Sequence, residues 1–293
     1  MIKKLFNSKR RNGALFLSGT GANAEEILAK NQELDKKSWQ PVVIVTDRPE
    51  ESRAEEIAEK FKIPFAALDI KKFYSQFNHN VSIATPKGRE IREKWTVVLR
   101  KKLKPYNIDF GILAGFIPLT NLTAAFPCLN IHPGDLTVVD DSGRRSLVGL
   151  HCIPVEKAIL SGCSSLRSSV IIAQSYTDGS EMDSGPLLGI SPEVTLDLQG
   201  YSVDELRFIH KKRPLKTPCG GHKDILRQIA AMNQERLKNG GDLVVFYPAI
   251  LNFVAGRYGL DADNELCFQL DNEQWQRIKT VEYRSKDDFS LIL

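Results

Sequence analysis

The sequence predicts an α/β protein whose mostly parallel sheet is doubly wound, with helices on both faces in a three-layer α/β/α arrangement. Short apolar runs alternate with helical segments from residue 14 onward, which is the pattern of βαβ units. A glycine-rich turn joins the first apolar run to the first helix, and the later runs at 109–114 and 128–131 end in loops rich in Gly and Pro. Right-handed crossovers between such strands produce a parallel sheet.

Each element follows from a local pattern. The predicted strands are short apolar or β-branched runs bounded by turn residues: 14–18, 41–46, 63–69, 109–114, 128–131, 168–173 and 187–190. The predicted helical segments are 24–30, 53–61, 87–104, 121–126, 156–161, 223–238 and 243–256. We treat 191–221, where this patterning weakens, as an inserted excursion, and we expect 265–270 and 277–283 to form a terminal β-ribbon.

Composition excludes several classes of protein. Of the 293 residues, 42% are hydrophobic and 26% are charged, close to the globular average, which excludes a disordered chain. The uncharged run near the C-terminus, 243–256, is too short for a transmembrane helix, and no apolar segment follows the basic start as in a secretory signal. The five cysteines are an odd number without paired spacing. We therefore expect a cytoplasmic protein that does not bind membranes.

The first twelve residues are predicted to form a basic arm. The five cations there exceed the net charge of +4, so the rest of the chain is slightly acidic: Lys3, Lys4, Lys9, Arg10 and Arg11. A general nucleic-acid surface is therefore not indicated, and we expect the arm to be a solvated, poorly ordered tail. Residues 13–293 are predicted to form a single domain.

Residues 18–23 are predicted to bind an anion. Gly19 and Gly21 let backbone N–H groups approach a phosphate at the start of a helix, where the helix dipole favours negative charge. The same glycines with Ala24 satisfy a loose dinucleotide-binding pattern, in which Asp47 would contact a ribose. A turn that needs glycine for positive φ is the structural alternative.

Asn130 and His132 are predicted to form a polar site at the end of a strand. Side chains alternate along a strand, so these two point the same way while Ile131 packs on the opposite face. An amide donor beside an imidazole is suited to stabilising an oxyanion and moving a proton in acyl transfer. A hydrogen-bonded core histidine is the alternative.

The loop of residues 181–186 supplies a third polar group. Asp183 in this loop can orient the imidazole of His132 and favour its protonated form, although such a sequence is also typical of an ordinary turn. Cys219 and His222 have the spacing of half a metal site, but no second pair of ligands accompanies them, so no metal is predicted. The sequence also lacks a nucleophile elbow, a Walker lysine loop, an HExxH motif and a CxxC pair.

In this order, the motifs resemble those of the folate-dependent formyltransferases, in particular the phosphoribosylglycinamide formyltransferase family. The similar segments are 18–23 (SGTGAN), 113–116 (LAGF), 130–133 (NIHP), 149–151 (GLH), 183–186 (DSGP), 247–248 (YP) and 253–257 (FVAGR). The resemblance covers residues 13–283 with interruptions. It implies the family's variant of the Rossmann-like fold, 10-formyltetrahydrofolate as cosubstrate and no metal.

The resemblance also implies roles for individual residues. Asn130 would hold the formyl oxygen as the tetrahedral intermediate forms, and His132 would stabilise that oxyanion and relay protons. Asp183 would set the charge state of His132 and help to deprotonate the amine. The residues that would bind the folate are Phe116, Ile117, Leu119, Thr120, Ser184 and Gly185. Those that would bind the acceptor are Gly19, Thr20, Gly21, Ala22 and Asn23 at its phosphate, and Asp242.

The sequence departs from the family pattern at four places. Ala22 replaces a serine of the phosphate loop, and Ile171 stands where the family commonly has a second histidine. The loop between His132 and Gly149 is longer, and residues 239–242 replace a segment that contacts the ribose of the acceptor. The identity of the acceptor is therefore less well determined by the resemblance than formyl transfer itself.

The predicted function is transfer of a formyl group from 10-formyltetrahydrofolate to a primary amine of a phosphorylated acceptor, with glycinamide ribonucleotide in purine biosynthesis as the default. The alternatives are another amine, such as an amino sugar nucleotide, and hydrolysis of the formyl-folate. Outside acyl transfer they are a nicotinamide-dependent oxidoreductase and a non-catalytic folate- or nucleotide-binding protein. We expect small-molecule substrates and a monomer or homodimer.

Overall fold

The helices and strands are given by a computed structural model, which describes residues 2–34, 38–176, 183–214 and 221–293. The α-helices of these ranges are α1 Ala22–Gln32, α2 Ala54–Phe61, α3 Ile70–Ser75, α4 Pro86–Leu103, α5 Ile153–Ser161, α6 Val203–Lys211, α7 Ile225–Leu237 and α8 Leu243–Val254. Single 3-10 turns occupy Lys104–Tyr106 and Asn121–Ala124, and a π-helical turn, Lys238–Asp242, joins α7 to α8.

The strands are short, as expected for a twisted sheet of this class. They are β1 Lys3–Lys4, β2 Asn12–Phe16, β3 Gln40–Thr46, β4 Phe65–Ala67, β5 Phe110–Leu113, β6 Cys128–His132, β7 Ser165–Leu166, β8 Ser169–Ala173, β9 Leu187–Ile190, β10 Val194–Thr195, β11 Tyr258–Leu260, β12 Leu266–Gln269, β13 Trp275–Arg277, β14 Thr280–Tyr283 and β15 Phe289–Ile292.

The largest sheet of the described ranges holds nine strands in the order β15-β14-β9-β8-β6-β5-β2-β3-β4. β2 pairs in parallel with β3 and with β5, and β5 pairs in parallel with β6. At the far edge β15 is antiparallel to β14. The predicted doubly wound, mostly parallel α/β fold is confirmed. β2 and β6 lie inside this sheet, and the loops that follow them begin at the carboxyl ends of these strands.

One compact unit comprises Met1–Ile131, Ile171–Pro186 and Ala249–Ile278. Its core contains Phe16 and Val45 from the sheet, covered by Ile91, Trp95 and Leu99 of α4. Those three residues are four positions apart, so they lie along one face of the helix. This face explains why a helix with so many cations has a single buried side.

The second unit comprises His132–Val170, Leu187–Pro248 and Lys279–Leu293. Its core is built from helices α5, α6 and α7, with Val155, Ile159, Leu206 and Ile229 all buried. Leu206 belongs to α6, which lies inside the segment treated from sequence as an excursion. That segment therefore contributes to a hydrophobic core, and the single-domain organisation of residues 13–293 stays a prediction.

The basic arm is not the solvated tail that the charges predicted. Lys3 and Lys4 pair with Leu260 and Gly259 as β1 of a small antiparallel sheet, β1-β11-β12-β13. Phe6 is only 5% exposed, and its ring lies 5.5 Å from Phe110, centroid to centroid. The prediction was wrong because it weighed the cations and overlooked the aromatic residue between them.

The predicted terminal β-ribbon is also corrected. Residues 266–269 pair with β11 and with β13, whereas β14 pairs in parallel with β9 and extends the main sheet. Between them, Ile278 N still donates to Leu266 O. The stretch 277–283 is therefore divided between two sheets instead of forming one strand. None of the described helices is both long and apolar enough to cross a membrane.

Candidate active site

The glycine loop, residues 18–23, connects the end of β2 to α1. Gly21 caps the N-terminus of α1 with φ of +68°, a left-handed conformation that favours glycine. A Cβ atom at this position would lie 2.5 Å from Ile57 Cδ1 and 2.6 Å from Leu17 Cδ1. Backbone conformation and packing both require glycine here, so the structural alternative considered from sequence holds for this residue.

Gly19 is open where Gly21 is closed. Within the described residues, and leaving aside its chain neighbours, nothing lies within 4 Å of a Cβ atom built at Gly19. Thr20 and Ala22 are exposed as well. The first N–H groups of a helix lack intrahelical acceptors, and the helix dipole favours negative charge there. The loop therefore has both the space and the donors that a phosphate requires.

A cation that sequence reasoning missed lies beside the glycine loop. Arg53 N donates to Gly19 O at 3.1 Å, and its guanidinium donates to Thr20 O at 3.4 Å. The same guanidinium pairs with Glu25 at 3.2 Å and with Glu56 at 2.6 Å. Because two carboxylates already neutralise it, Arg53 serves the loop mainly by fixing two of its carbonyl groups. Its only sequence signal is a basic residue directly before a helix.

Ser18 and Asp47 form a buried pair behind the loop. Ser18 Oγ donates to Asp47 Oδ1 at 2.5 Å and accepts from Ile117 N at 2.9 Å. Burial raises the pKa of Asp47, opposed by the bond from Ser18 and by the nearby Arg48. The carboxylate has no exposed surface, so it cannot contact a ribose as the oxidoreductase alternative requires.

The β5 loop, residues 115–120, follows β5 and contains four of the six predicted folate-binding residues. Gly115 is exposed, with φ of +84° and open space at its Cβ position. The Phe116 ring, in contrast, points into the core, 5.5 Å from the Phe16 ring and 6.4 Å from Trp95. A ligand over this loop therefore meets backbone at Gly115, while the Phe116 side chain stabilises the fold.

The rest of the β5 loop is held by bonds within the protein. Leu119 O accepts from the Arg92 guanidinium at 2.7 Å, and Thr120 Oγ1 bonds with Thr96 Oγ1 at 3.0 Å. With the Ile117 N–H given to Ser18, several backbone and side-chain groups predicted to bind folate already have protein partners. Arg92 and Thr96 belong to α4, and no sequence pattern indicates their role because they lie far from the loop along the chain.

Asn130 and His132 lie two residues apart on β6, with Ile131 between them. His132 is 2% exposed, and its Nε2 lies 2.6 Å from Leu147 O. A carbonyl oxygen only accepts hydrogen bonds, so Nε2 carries the proton, and Nδ1 is the nitrogen of the neutral ring that can accept one. The strand thus presents an amide and a tautomerically fixed imidazole on one face.

Gly134 makes the bond between His132 and Leu147 possible. A Cβ atom at residue 134 would lie 2.7 Å from Leu147 O and 3.0 Å from His132 Nε2. The carbonyl of Gly134 is also held in place, accepting from Ser169 Oγ at 2.8 Å. The sequence places Gly134 directly after the NIHP segment, but its role in this bond was not predicted.

Asp183 lies four residues before β9, in the segment that leads alongside β8. Its φ is +61°, a conformation that Asp tolerates better than most residues because its side chain can bond locally. Ile172 N donates to Pro186 O at 3.1 Å, and a Cβ atom at Gly185 would lie 1.8 Å from Ile172 O. Gly185 is therefore fixed by backbone packing, whereas Ser184 is exposed.

Two loops of the first unit are joined by a latch that sequence reasoning missed. Glu93 Oε1 accepts from Asn121 Nδ2 at 3.0 Å and from the Tyr176 hydroxyl at 3.1 Å. Asn121 Oδ1 in turn accepts from Tyr176 N at 2.9 Å. Burial raises the pKa of Tyr176, and the negative charge of Glu93 raises it further. Residue 121 directly follows the β5 loop, so the latch fixes the exit of that loop.

Asp242 occupies a packed position in the π-helical turn. It is 6% exposed, and its Oδ1 accepts from Ser168 Oγ at 2.5 Å. A Cβ atom at the preceding Gly241 would lie 2.5 Å from the same Ser168 Oγ and 2.8 Å from Leu237 Cδ1. These contacts stabilise the turn, and the predicted contact of Asp242 with an acceptor stays a prediction.

The long loop after β6 forms a small hairpin. Val139 and Arg145 make an isolated antiparallel bridge, and Asp140 Oδ1 accepts from Ser142 N at 2.9 Å and Arg144 N at 3.0 Å. Hydrogen bonds lower the pKa of Asp140 to about 2, and the bond from the Ser142 hydroxyl contributes most. The insertion is thus an ordered element with its own turn chemistry.

Some predicted features fall elsewhere. Glu181, Met182 and Cys219 lie outside the described residues. Ile171, which the sequence comparison set against a second histidine, is a buried core side chain on β8. Within the described ranges, no three His, Cys, Asp or Glu side chains are grouped so that they could hold a metal ion.

The fold and these loops define a class: a doubly wound α/β protein with a glycine loop after its first core strand and a polar pair at the end of β6. Similarity to solved structures is consistent with this class. A scan against models of known protein families gives no match, and a search of curated proteins gives none either.

The solved structures with this fold include phosphoribosylglycinamide formyltransferases. The enzyme of Anaplasma phagocytophilum matches 94% of this chain and 99% of its own at 16% identity, with a TM-score of 0.58. That of Coxiella burnetii, solved in complex with CHES, matches 94% and 100% at 16% identity and a TM-score of 0.57. Glycinamide ribonucleotide transformylase 1 of Symbiobacterium toebii matches 87% and 93% at 20% identity and 0.54. At such identities the likeness establishes the shared fold.

Proposed function

We propose that this protein transfers the formyl group of 10-formyltetrahydrofolate to a primary amine of a phosphorylated acceptor, with glycinamide ribonucleotide as the first candidate. The observation that carries the proposal is β6, which presents Asn130 and His132 together and fixes the imidazole tautomer through Leu147 O. The shared fold with glycinamide ribonucleotide transformylases adds to it.

The chemistry needs few groups. The amine nitrogen attacks the formyl carbon, a C–N bond forms, and the formyl oxygen becomes an oxyanion that the Asn130 amide stabilises by donating a hydrogen bond. His132 accepts a proton at Nδ1 while Nε2 remains bonded to Leu147 O. The bond from the formyl carbon to N10 of the folate then breaks, and the proton lost by the amine ends on N10. Asp183 is the proposed carboxylate that helps to deprotonate the amine.

The two ligands have proposed places in the first unit. The acceptor phosphate binds at the glycine loop, where Gly19 leaves space and the N-terminus of α1 supplies N–H groups. The folate binds along the β5 loop, where Gly115 is exposed and open. We further infer a cytoplasmic enzyme that acts on small molecules as a monomer or homodimer.

The test is turnover of 10-formyltetrahydrofolate by purified protein. Glycinamide ribonucleotide, a panel of amino sugar nucleotides and a reaction without acceptor are compared. His132→Ala and Asn130→Ala are expected to lower kcat about a hundredfold or more. The matched control is His210→Ala, because His210 is an exposed histidine of α6 and should leave kcat unchanged.

Each result has a defined meaning. Formyl transfer to glycinamide ribonucleotide that depends on His132 establishes the proposal, and transfer to another amine changes only the acceptor. Loss of the formyl group without any acceptor would identify a hydrolase. Binding of folate with no turnover under any condition would favour a non-catalytic binding protein and overturn the proposal.

A further inference from the structure

We propose that Ser18 and Asp47 are a positioning pair that holds the glycine loop and the β5 loop in one arrangement. The inference rests on the proposed function for the identity of the two ligands, the acceptor phosphate and the formyl-folate. It assigns a task to a buried carboxylate that takes no part in the chemistry described above.

The geometry of Ser18 ties the two loops at two points. Ser18 N donates to Gly115 O at 3.2 Å, and Ser18 Oγ accepts from Ile117 N at 2.9 Å. A serine hydroxyl has one proton to donate, and here Asp47 Oδ1 accepts it at 2.5 Å. With its proton directed to Asp47, the hydroxyl must present lone pairs to Ile117. Asp47 therefore sets the orientation in which Ser18 can hold the β5 loop.

Burying Ser18 and Asp47 costs free energy that their hydrogen bonds must offset. Ser18 is 2% exposed and Asp47 is fully buried, and a buried carboxylate is expensive unless it is paired and hydrogen-bonded. Among the described residues, Asp47 Oδ2 has no hydrogen-bond partner and lies 3.6 Å from Arg48 Nε. The side chain to which this carboxylate is hydrogen-bonded is thus Ser18, whose hydroxyl it orients.

Ser18 and Asp47 are buried behind the two loops, and the loop residues with open space around them are glycines. Gly19 and Gly115 each have open space at the Cβ position, so ligands can approach the backbone there. Ser18 lies one residue before Gly19 and bonds to Gly115 itself. A shift of Ser18 would therefore move both open sides together, and the relative position of two reactants strongly controls the rate of their reaction.

The first measurement is amide hydrogen exchange of free protein, which needs no substrate. Ser18→Ala is expected to accelerate exchange at Ile117 about tenfold, because its acceptor is removed. Asp47→Leu, which removes the acceptor of the hydroxyl proton, should have a similar effect. Asp47→Asn should stay close to wild type, because an amide oxygen accepts the same bond. The matched control is Ser52→Ala, whose hydroxyl bonds to Thr46 Oγ1 at 2.8 Å.

The second measurement is steady-state kinetics with both substrates. Ser18→Ala and Asp47→Leu are expected to raise the KM of donor and acceptor together by about three- to tenfold and to lower kcat about tenfold. Asp47→Asn should restore all three values, and Ser52→Ala should leave them unchanged. If Ser18→Ala fails to fold, Ser18→Cys replaces it, since the thiol has similar size and is a weaker donor and acceptor.

The outcomes separate this inference from the proposed function. Unchanged exchange at Ile117 in Ser18→Ala would show that the pair does not hold the β5 loop. Faster exchange with both KM values unchanged would show that the loops need no common positioning. If the wild type transfers no formyl group, the proposed function fails, and the exchange data alone decide whether the pair holds the two loops together.

Discussion

Two glycine-rich turns of the described residues, each leading into a helix, differ in what surrounds them. The glycine loop before α1 has Gly19 with open space at its Cβ position. The π-helical turn before α8 has Gly241 packed against Ser168 Oγ and Leu237, with the carboxylate of Asp242 buried. The proposed phosphate site thus lies at a glycine with open space, whereas the glycine beside Asp242 is required by packing.

The contrast is also present inside the glycine loop, and there it predicts the largest effect. Gly21→Ala should lower the free energy of unfolding by about 3 kcal/mol, because a positive φ and crowding against Leu17 and Ile57 both penalise the added methyl group. Urea denaturation measures this loss. A loss below about 1 kcal/mol would mean that the loop can relax and that Gly21 is not required by packing.

The packed turn should be sensitive to loss of its hydroxyl. Ser168→Ala removes the hydrogen bond that the Ser168 hydroxyl donates to the buried Asp242 carboxylate and should cost about 2 kcal/mol in unfolding free energy. The matched control is Ser161→Ala, an exposed serine on α5, which should change stability by less than about 0.5 kcal/mol. If Asp242→Asn changed the acceptor KM and left stability intact, Asp242 would contact the acceptor instead of only stabilising the turn.

A smaller effect should appear as a dependence on pH behind the open loop. Burial raises the pKa of Asp47 above its ordinary value of 3.8, with Arg48 and Arg92 opposing the shift. Between the ordinary and the raised pKa the folded state binds more protons than the unfolded state, so stability falls as pH rises through that window. Asp47→Asn lacks this loss.

Thermal unfolding of wild type and Asp47→Asn between pH 3 and pH 8 gives the measurement for Asp47. The difference in Tm should shift in favour of the variant as pH rises above 3.8 and then become constant. A difference that shifts the other way would mean that the folded state holds the carboxylate ionised more easily than water does.

The smallest effect on stability is expected at the open glycine. Gly19→Ala should change the free energy of unfolding by less than about 0.5 kcal/mol, because the methyl group meets no atom of the described residues beyond the chain neighbours. Gly19→Asp should raise the KM of a phosphorylated acceptor at least tenfold by charge repulsion. If Gly19→Asp left the acceptor KM unchanged, the phosphate would not bind at this loop.

Local patterns were enough to predict the open loop and β6. The strand, glycine turn and helix at residues 14–30 are contiguous, and the alternation of Asn130 and His132 follows from strand geometry alone. The bonds that hold these groups were out of reach, because their partners are distant along the chain. Ser18 and Asp47 are 29 positions apart, and His132 and Leu147 are 15 apart.

One miss had a readable signal. Helix α6 begins with a capping box, in which Ser202 Oγ accepts from Glu205 N and Glu205 accepts from Ser202 N. The pair of residue types at this spacing is visible in the sequence, but the surrounding cations and prolines obscured it. The pairing of the basic arm was not predicted, because a two-residue strand leaves almost no pattern in the sequence. β1 is defined by its partner strand, β11.

The pairing of β1 with β11 has a consequence for synthesis of the protein. Lys3 and Lys4 can meet Leu260 and Gly259 only after the whole stretch between them has been made. At typical elongation rates of about 5–20 residues per second, the partner strand is translated roughly 10–50 s after the first one. Throughout that interval Phe6 has no access to Phe253, against which its ring packs in the finished fold. The residues of β1 and Phe6 thus reach these native contacts only after the segments that hold their partners have been made.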